Sequence, residues 1–567
     1  MLHVSCFMIF SLFSEISVVL VLASALAIVA MFFRQSGILA YILTGIIIGP
    51  LGYLAFDSKE TLEVMSKIGI TLLLFMVGLE MNLSGLKQIG KSAVIIGLGQ
   101  VIFTAIIGYF LSIAIGFSSM VSLYIALALT FSSTIIVVKL LSEKKDMGSL
   151  YGKILIGVLF VQDFIALFAL MFLAGIGAKG DVLNFTPILI VFAKGIILSV
   201  VLIIIGKKIL PKLIGFIARS QELLFLTSIA FALGIASFVS SSFIGLSLEI
   251  GGFLAGIALS YSSEHYQIHS RIRPVRDLFI VVFFITLGST LVLGESLAGI
   301  WIPVLAFSGF ILVGNPLIVL VIMGILGYKK RTAFFVGLGM AQISEFSFVL
   351  MQLGKNVSHI DERSVTIITL VGIITITISS YMILGGNWLY KYLSVFLKIF
   401  ERKITIERPL AHKDMADHFV LIGSHRLGGH LLSVLPADKT EIIDFNPDTA
   451  KKLEIKGYNV IYGDMSDEEI QDDANMLKAK LIISTVPDLN DNISILTRIK
   501  EEKLKKPPKV MMTANEEWEA KILYEEGADY VILPHFIGAQ QIAYMIAEDH
   551  DLPRLREYRE RDLATLG

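Results

Sequence analysis

The stretch Gly157-Val158-Leu159-Phe160-Val161-Gln162-Asp163-Phe164-Ile165-Ala166-Leu167 decides how this chain is read. It lies inside an apolar segment, residues 150–175, long enough to cross a bilayer, which takes about 20 residues. Apart from Gln162 and Asp163 the stretch is apolar. A carboxylate at mid-membrane depth is costly, so Asp163 needs a use or a partner. The rest of the chain reads as the means of exposing Asp163 to one side of a membrane and then the other.

The chain has 567 residues, 55% of them hydrophobic and 17% charged, with a mean hydropathy of +0.78. That average covers two unlike parts. Residues 1–400 are one apolar run after another, too apolar for a water-soluble core, and form a polytopic α-helical membrane domain. Residues 401–417 are a charged linker. Residues 418–537 have the composition of a soluble α/β domain, and 538–567 form an amphipathic, then charged, tail. A net charge of −1 argues against nucleic acid as a partner. The single cysteine, Cys6, excludes an intrachain disulfide and any cysteine-based metal site. Met1 to Phe13 lack a basic leading region and read as a lead-in to the first helix, not a signal peptide.

Apolar segments at 14–33, 38–54, 61–80, 88–116, 120–141, 150–175, 186–210, 221–241, 245–261, 275–293, 298–327, 331–354 and 363–397 predict about 13 transmembrane helices. Lys and Arg concentrate in alternate loops, at Arg34, Lys87, Lys91, Lys144, Lys145, Lys207, Lys208, Lys212, Arg219, Arg271, Arg273, Arg276, Lys329, Lys330 and Arg331. By the positive-inside rule these loops are cytoplasmic. An odd helix count then puts the N-terminus outside and the soluble domain inside. The segment Ala40 to Gly49 resembles Ser247 to Gly256, and Leu74 to Gly78 resembles Phe284 to Gly288. The paired helices are seven apart, so the copies face opposite ways, an inverted repeat as in many secondary transporters.

The fifth and twelfth helices then correspond. One carries Thr130-Phe131-Ser132-Ser133-Thr134, the other Gln342-Ile343-Ser344-Glu345-Phe346-Ser347. Polar interruptions in matching helices point to a midplane site. Unwound turns release carbonyls for a cation and leave half-helix ends pointing inward. A hard monovalent cation takes oxygen ligands. Asp163 supplies charge, Ser132, Ser133 and Thr134 supply hydroxyls, and Gln162 orients Asp163. A site that holds either a proton or a cation, not both, exchanges one for the other. One carboxylate beside a neutral Gln162 predicts electroneutral one-for-one antiport. Glu345 reads as a cap on a broken helix, with Ser344 and Gln342 beside it. Lys194 and Glu249 have no place in this scheme.

These motifs, together with Arg271-Ile272-Arg273-Pro274-Val275-Arg276-Asp277-Leu278-Phe279, resemble the monovalent cation:proton antiporter-2 family, in particular its Kef-type potassium efflux branch. The resemblance covers nearly the whole chain. It implies an NhaA-like antiporter fold, a homodimer in the cell (inner) membrane, a six-helix core moving as an elevator, and potassium or sodium exchanged for protons at Asp163.

In the soluble part, His418 to Ile422 reads as a buried parallel strand. Gly423-Ser424-His425-Arg426-Leu427-Gly428-Gly429 leads from it into a helix, and Glu441 to Asp444 is the next strand, ending in an acid. Strand, glycine turn, helix, strand and terminal acid are the dinucleotide-fold layout. Further strands at 459–464, 480–485, 509–512 and 530–533 predict a six-stranded sheet. His425 stands where the pattern has its middle glycine. It crowds a pyrophosphate but tolerates a single phosphate, so AMP, or ADP or ATP, is expected over NAD(H). The domain resembles the RCK, or TrkA-N-like, module that follows Kef-type transport domains. That resemblance places Gly423, Ser424, His425, Arg426, Leu427, Gly428, Asp444, Asp464 and Thr485 around a nucleotide. Met512-Thr513-Ala514-Asn515 has no arginine, which counts against the glutathione control known in the branch. A domain that binds no nucleotide and only mediates dimerisation stays open. A ligand-gated channel lacks its Thr-Val-Gly-Tyr-Gly filter here, and an oxidoreductase lacks a substrate domain. The choice between potassium and sodium stays open as well.

Overall fold

The computed structural model describes residues 12–49, 59–80, 91–144, 146–175, 185–218, 220–241, 244, 247–262, 264–291, 299–402, 415–424, 426–444, 447–465, 468–502, 504–548 and 559–560. Cys6, Lys87, Lys145, Lys179, Arg219 and His425 lie outside the described residues, as do most of the linker and the tail. The chain divides into two compact units, one made of Met1–Met147, Tyr151–Leu326 and Thr332–Phe400, the other chiefly of Glu401–Gly567.

The regular structure of the first unit, among the described residues, is helical: α1 (Leu12–Phe32), α2 (Gly37–Ile48), α3 (Lys59–Glu80), α4 (Lys91–Ile115), α5 (Ser119–Ala128), α6 (Thr134–Glu143), α7 (Leu150–Gly175), α8 (Phe185–Lys208), α9 (Leu210–Ile217), α10 (Gln221–Ser240), α11 (Leu248–Leu259), α12 (His265–Ser289), α13 (Trp301–Gly309), α14 (Asn315–Leu326), α15 (Lys330–Gly339), α16 (Glu345–Asn356), α17 (Glu362–Leu384) and α18 (Gly386–Leu397). Each apolar segment expected from the sequence contains helix. Among the described residues seven spans are long and apolar enough to cross a membrane, α13 and α14 counting as one. Starts follow local chemistry. Ser36, Ser118, Ser133, Ser220, Ser247, Ser344 and Asp361 each accept a first-turn backbone N–H with the side chain, satisfying donors the helix leaves over.

Two boundaries differ from the sequence reading. The tenth segment begins at His265, so the basic run Arg271 to Arg276 is helical, with Pro274 inside it. The last segment, 363–397, is two helices, because Gly385 and Gly386 end α17 and start α18. Lys194 donates to Ile244 O at 2.7 Å, and Glu249 sits in the first turn of α11 beside its Ser247 cap.

The repeat is visible in packing. Helix α3 lies along α11 and α12, and α2 along α12. A Cβ on Gly45 would lie 2.1 Å from Ile285 O, and one on Gly288 2.2 Å from Ile42 O. In the other pair, a Cβ on Gly256 would lie 2.0 Å from Phe75 O, and one on Gly78 2.3 Å from Phe253 O. Glycine lets the backbones touch, as small residues do at membrane helix crossings. The two crossings mirror each other: the counterpart of α3 meets α2, and the counterpart of α2 meets α3.

The second unit is a six-stranded parallel sheet: β1 (Phe419–Ile422), β2 (Thr440–Asp444), β3 (Asn459–Tyr462), β4 (Leu481–Ser484), β5 (Lys509–Thr513) and β6 (Tyr530–Ile532), in the order β3-β2-β1-β4-β5-β6. All six strands are those expected from the sequence. Helices α19 (Arg426–Leu431), α20 (Pro447–Ile455), α21 (Glu468–Asp473), α22 (Leu489–Glu501), α23 (Glu517–Glu525) and α24 (Pro534–Glu548) connect or follow them. Near-continuous apolar strands such as Phe419–Ile422 suit a sheet covered on both faces. One core gathers Val420, Ile422, Ile443, Ile461, Ile482, Val510 and Met512. This is the doubly wound order whose ligand crevice opens at the carboxyl ends of β1 and β4, where the order reverses.

Candidate functional site

The membrane site forms where two helices break. Between α5 and α6 the chain is non-helical from Leu129 to Ser133, and between α15 and α16 from Met340 to Ser344. In each case a serine restarts the helix. Ser133 Oγ accepts from Ile136 N at 3.4 Å, and Ser344 Oγ accepts from Phe346 N at 3.2 Å. Both hydroxyls then donate to one carboxylate, Glu345 Oε2, at 3.0 Å from Ser133 and 3.2 Å from Ser344. Two helix N-termini, each carrying partial positive charge, thus share one acid that is 6% exposed. Ser347 Oγ crosses to Ala128 O at 2.6 Å and binds the second break to the last turn of α5.

Asp163 lies on α7, half-buried, and its Oδ2 accepts from Thr134 Oγ1 at 3.1 Å. Its neighbour Gln162 is 1% exposed and faces the first break. Gln162 Oε1 accepts from Ser132 N at 3.0 Å, while its amide donates to Thr130 O at 3.3 Å and to Gln100 Oε1. Ser132 Oγ donates to Met340 O at 3.4 Å, across to the second break. Gln342 Oε1 accepts from Ser379 Oγ at 3.0 Å. The residues singled out from the sequence therefore separate into three groups. Thr134 stands at Asp163. Ser133 and Ser344 stand at Glu345, while Ser132 and Gln162 span the break.

Gln100, Thr104 and Asn315 were not picked out by the sequence reading. All three are 0% exposed. Gln100 donates to Thr130 O at 3.2 Å, and Thr104 Oγ1 donates to Asn315 Oδ1 at 2.7 Å. The only trace in the sequence is isolated polar residues in apolar runs, with Pro316 following Asn315.

In the second unit, the turn after β1 opens with Gly423 at φ +79°, a left-handed conformation that glycine adopts without strain. A Cβ on Gly428 would lie 2.0 Å from Gly423 O, so α19 can pack against the strand end only with glycine there. Leu427 is half-buried in the same helix, and Arg426 is its first residue. Thr485, after β4, donates to Ile422 O at 3.0 Å and Gly423 O at 2.8 Å, pinning the turn. Asp444 ends β2. Its Oδ2 accepts from Ser424 N at 2.9 Å and from the Ser424 hydroxyl. Asp464 follows β3 and is 9% exposed. The expected loop and acids thus converge at the carboxyl ends of β1 to β4. Away from this crevice, burial among apolar side chains pushes the Glu441 carboxyl up to about 7, and burial lowers the His418 imidazole below its ordinary value of 6.5.

A family model for the transmembrane sodium/hydrogen exchangers matches residues 17–384, and one for the TrkA-N domain matches residues 419–534. The chain is 28% identical over 552 residues to a putative cation/proton antiporter, YbaL, of Escherichia coli, covering 94% of this chain and 96% of that one. It is 30% identical over 407 residues to K(+) efflux antiporter 6 of Arabidopsis thaliana, covering 70% of this chain and 67% of that one. Among solved structures, the sodium proton antiporter MjNhaP1 of Methanocaldococcus jannaschii superposes with a TM-score of 0.51 at 18% identity, over 68% of this chain and 98% of that one. That likeness shows a shared fold.

Proposed function

The chain belongs to the sodium/hydrogen exchanger family and is a membrane-embedded cation/proton antiporter with a C-terminal TrkA-N domain, and from that premise we propose that it exchanges potassium for protons, one for one, at Asp163. The observation that carries this is the Thr134–Asp163 hydrogen bond at the restart of a broken helix. A carboxylate there has a hydroxyl partner and a neutral neighbour in Gln162, and the tenth apolar segment carries no lysine or arginine from Leu278 to Leu291, which favours exchange without net charge movement. Binding is then a contest between a proton and a cation for Asp163, with Thr134 as a neutral oxygen ligand and Gln162, Ser132 and Ser133 holding the break. Potassium is favoured over sodium because relatives such as K(+) efflux antiporter 6 are named for it. Alternating access comes from an elevator movement of the helices around the breaks against a scaffold built on α2, α3, α11 and α12. The working unit is a homodimer in the cell (inner) membrane, with the N-terminus outside and the soluble domain cytoplasmic.

The second unit, on this reading, senses a nucleotide. The phosphate sits on the Gly423–Gly428 turn at the start of α19, and Asp444 takes the ribose hydroxyls. Support comes from the sheet order, the glycine approach and the acid at the end of β2. AMP is favoured, with ADP, ATP and NAD(H) as the alternatives.

The test is exchange in proteoliposomes. Potassium-driven proton flux is expected from the wild type, none from Asp163→Asn, and no net current under an imposed voltage. Unchanged flux in Asp163→Asn rejects the assignment. Calorimetry of the full chain with AMP, ADP, ATP and NAD(H) tests the second unit, and no heat from any of them rejects sensing.

A further inference from the structure

Thr104 and Asn315, Leu129 and Met340, and Ser133 and Ser344 are each 211 residues apart. The last pair are the serines that restart the two broken helices, so this separation relates equivalent positions of the two repeats. Thr104 and Asn315 are therefore repeat partners, and they hydrogen-bond to each other, Thr104 Oγ1 to Asn315 Oδ1 at 2.7 Å. Two equivalent residues meet only at the axis that relates the copies. The Asn315 amide donates from there to Leu129 O and to Met340 O, both at 3.4 Å. Those carbonyls are themselves repeat partners, one at each break. One side chain on the pseudo-two-fold axis thus reaches the same atom of both interrupted helices.

The backbone is adapted to this. Residues Phe310–Gly314 form a π-helical turn between α13 and α14, immediately before Asn315. Such turns insert one extra residue per turn and are frequent at functional sites. With Pro316 next, the turn rotates the register of α14 so that Asn315 faces the breaks.

We propose that Asn315 is a positioning residue for cation exchange: it fixes the spacing of the two broken helices from their common axis, and thereby the oxygen geometry offered to the ion at Asp163. Three neutral amide side chains hold the carbonyls of the breaks: Gln100 and Gln162 hold Thr130 O, and Asn315, braced by Thr104, holds Leu129 O and Met340 O. The cation is left to oxygens whose separation the clamp sets, and discrimination between ions of different radius depends on that separation. This inference rests on exchange at Asp163.

The experiment measures exchange by the full chain in proteoliposomes at several potassium and sodium concentrations and across pH. Asn315→Ala and Asn315→Asp both lose the donating amide. Each is expected to raise the apparent KM for potassium about tenfold, to leave the maximal rate within about threefold, and to bring the potassium and sodium KM values closer together. Thr104→Val, which removes the bond to Asn315 Oδ1 and the one accepted from Gln100 Nε2 but leaves the Asn315 amide its two carbonyls, is expected to move KM in the same direction and less far. Wild-type KM values and an unchanged ion ratio in folded Asn315→Ala overturn the proposal. So does a loss of maximal rate and thermal stability at constant KM, the signature of a merely structural residue. Asp163→Asn in the same vesicles keeps the two readings apart: if it still exchanges, the site assignment fails, whatever Asn315 does.

Discussion

The Thr134 hydroxyl donates to Asp163 Oδ2 at 3.1 Å, tying the first residue of α6 to the middle of α7. A hydrogen bond to a charged group is worth roughly 1.5–3 kcal/mol. Removing the hydroxyl with Thr134→Val takes that bond away from the carboxylate and, on the exchange proposed at Asp163, an oxygen ligand away from the cation. The apparent KM for the transported cation is expected to rise about tenfold or more, while Thr134→Ser keeps the wild-type value. Initial-rate flux measurements in liposomes decide between them, and equal KM values for Val and wild type would show that the hydroxyl is not a ligand.

Glu345 serves two helix starts through Ser133 and Ser344. Glu345→Ala leaves both hydroxyls and both N-termini without their anion. Each buried polar group left unpartnered costs about 1–3 kcal/mol, so a clear fall in the melting temperature of the purified protein is expected. Ser133→Ala alone removes one of the two bonds and is expected to cost less. A Glu345→Ala protein that melts like the wild type would mean that the breaks are held by other contacts.

At Gly428 a Cβ would meet Gly423 O at 2.0 Å. Gly428→Ala is therefore expected to push α19 away from β1 and to abolish nucleotide binding, whereas Asp444→Ala takes the acceptor from Ser424 N and the Ser424 hydroxyl and, because a ribose only replaces that hydroxyl, is expected to weaken binding no more than about threefold. Calorimetry with AMP compares them. Tight binding by Gly428→Ala would place the ligand elsewhere.

Glu441 on β2 gives the soluble unit a pH-dependent stability. Its folded carboxyl titrates at about 7, above its ordinary value of 4.5. A raised value means stability that is complete below 4.5 and is lost as pH rises toward 7, because the buried group must then ionise. His418 works in the opposite sense: its lowered value means stability present above 6.5 and lost on acidification. In melts of residues 415–548, the advantage of Glu441→Gln over the wild type is expected to grow between pH 4.5 and 7 and to level off above. A difference independent of pH would show that Glu441 titrates at the same pH in the folded and the unfolded chain.

Much of this was legible beforehand because it is written in local chemistry. Alternating strands, a glycine turn and an acid at a strand end announced the sheet. Clustered hydroxyls in apolar segments announced the breaks. The Thr104–Asn315 pairing left no such mark. A lone threonine and a lone asparagine in apolar helices look like ordinary packing, and the π-helical turn that aims Asn315 has no residue signature. The helical start at His265 was hidden for a related reason, since a basic run with a proline reads as a loop until it is seen lying on a helix. The split at Gly385-Gly386 was missed because the residues on either side are equally apolar.

The Ser424 hydroxyl already occupies Asp444. It gives the acid the kind of contact that a sugar hydroxyl would give, so the resting crevice carries a built-in competitor. On the proposal that this crevice takes a nucleotide, a ribose docking at Asp444 Oδ2 trades one alcohol for another and gains little from the exchange. Its affinity must then come from the phosphate end, and the grip on the sugar selects among ligands more than it tightens any of them.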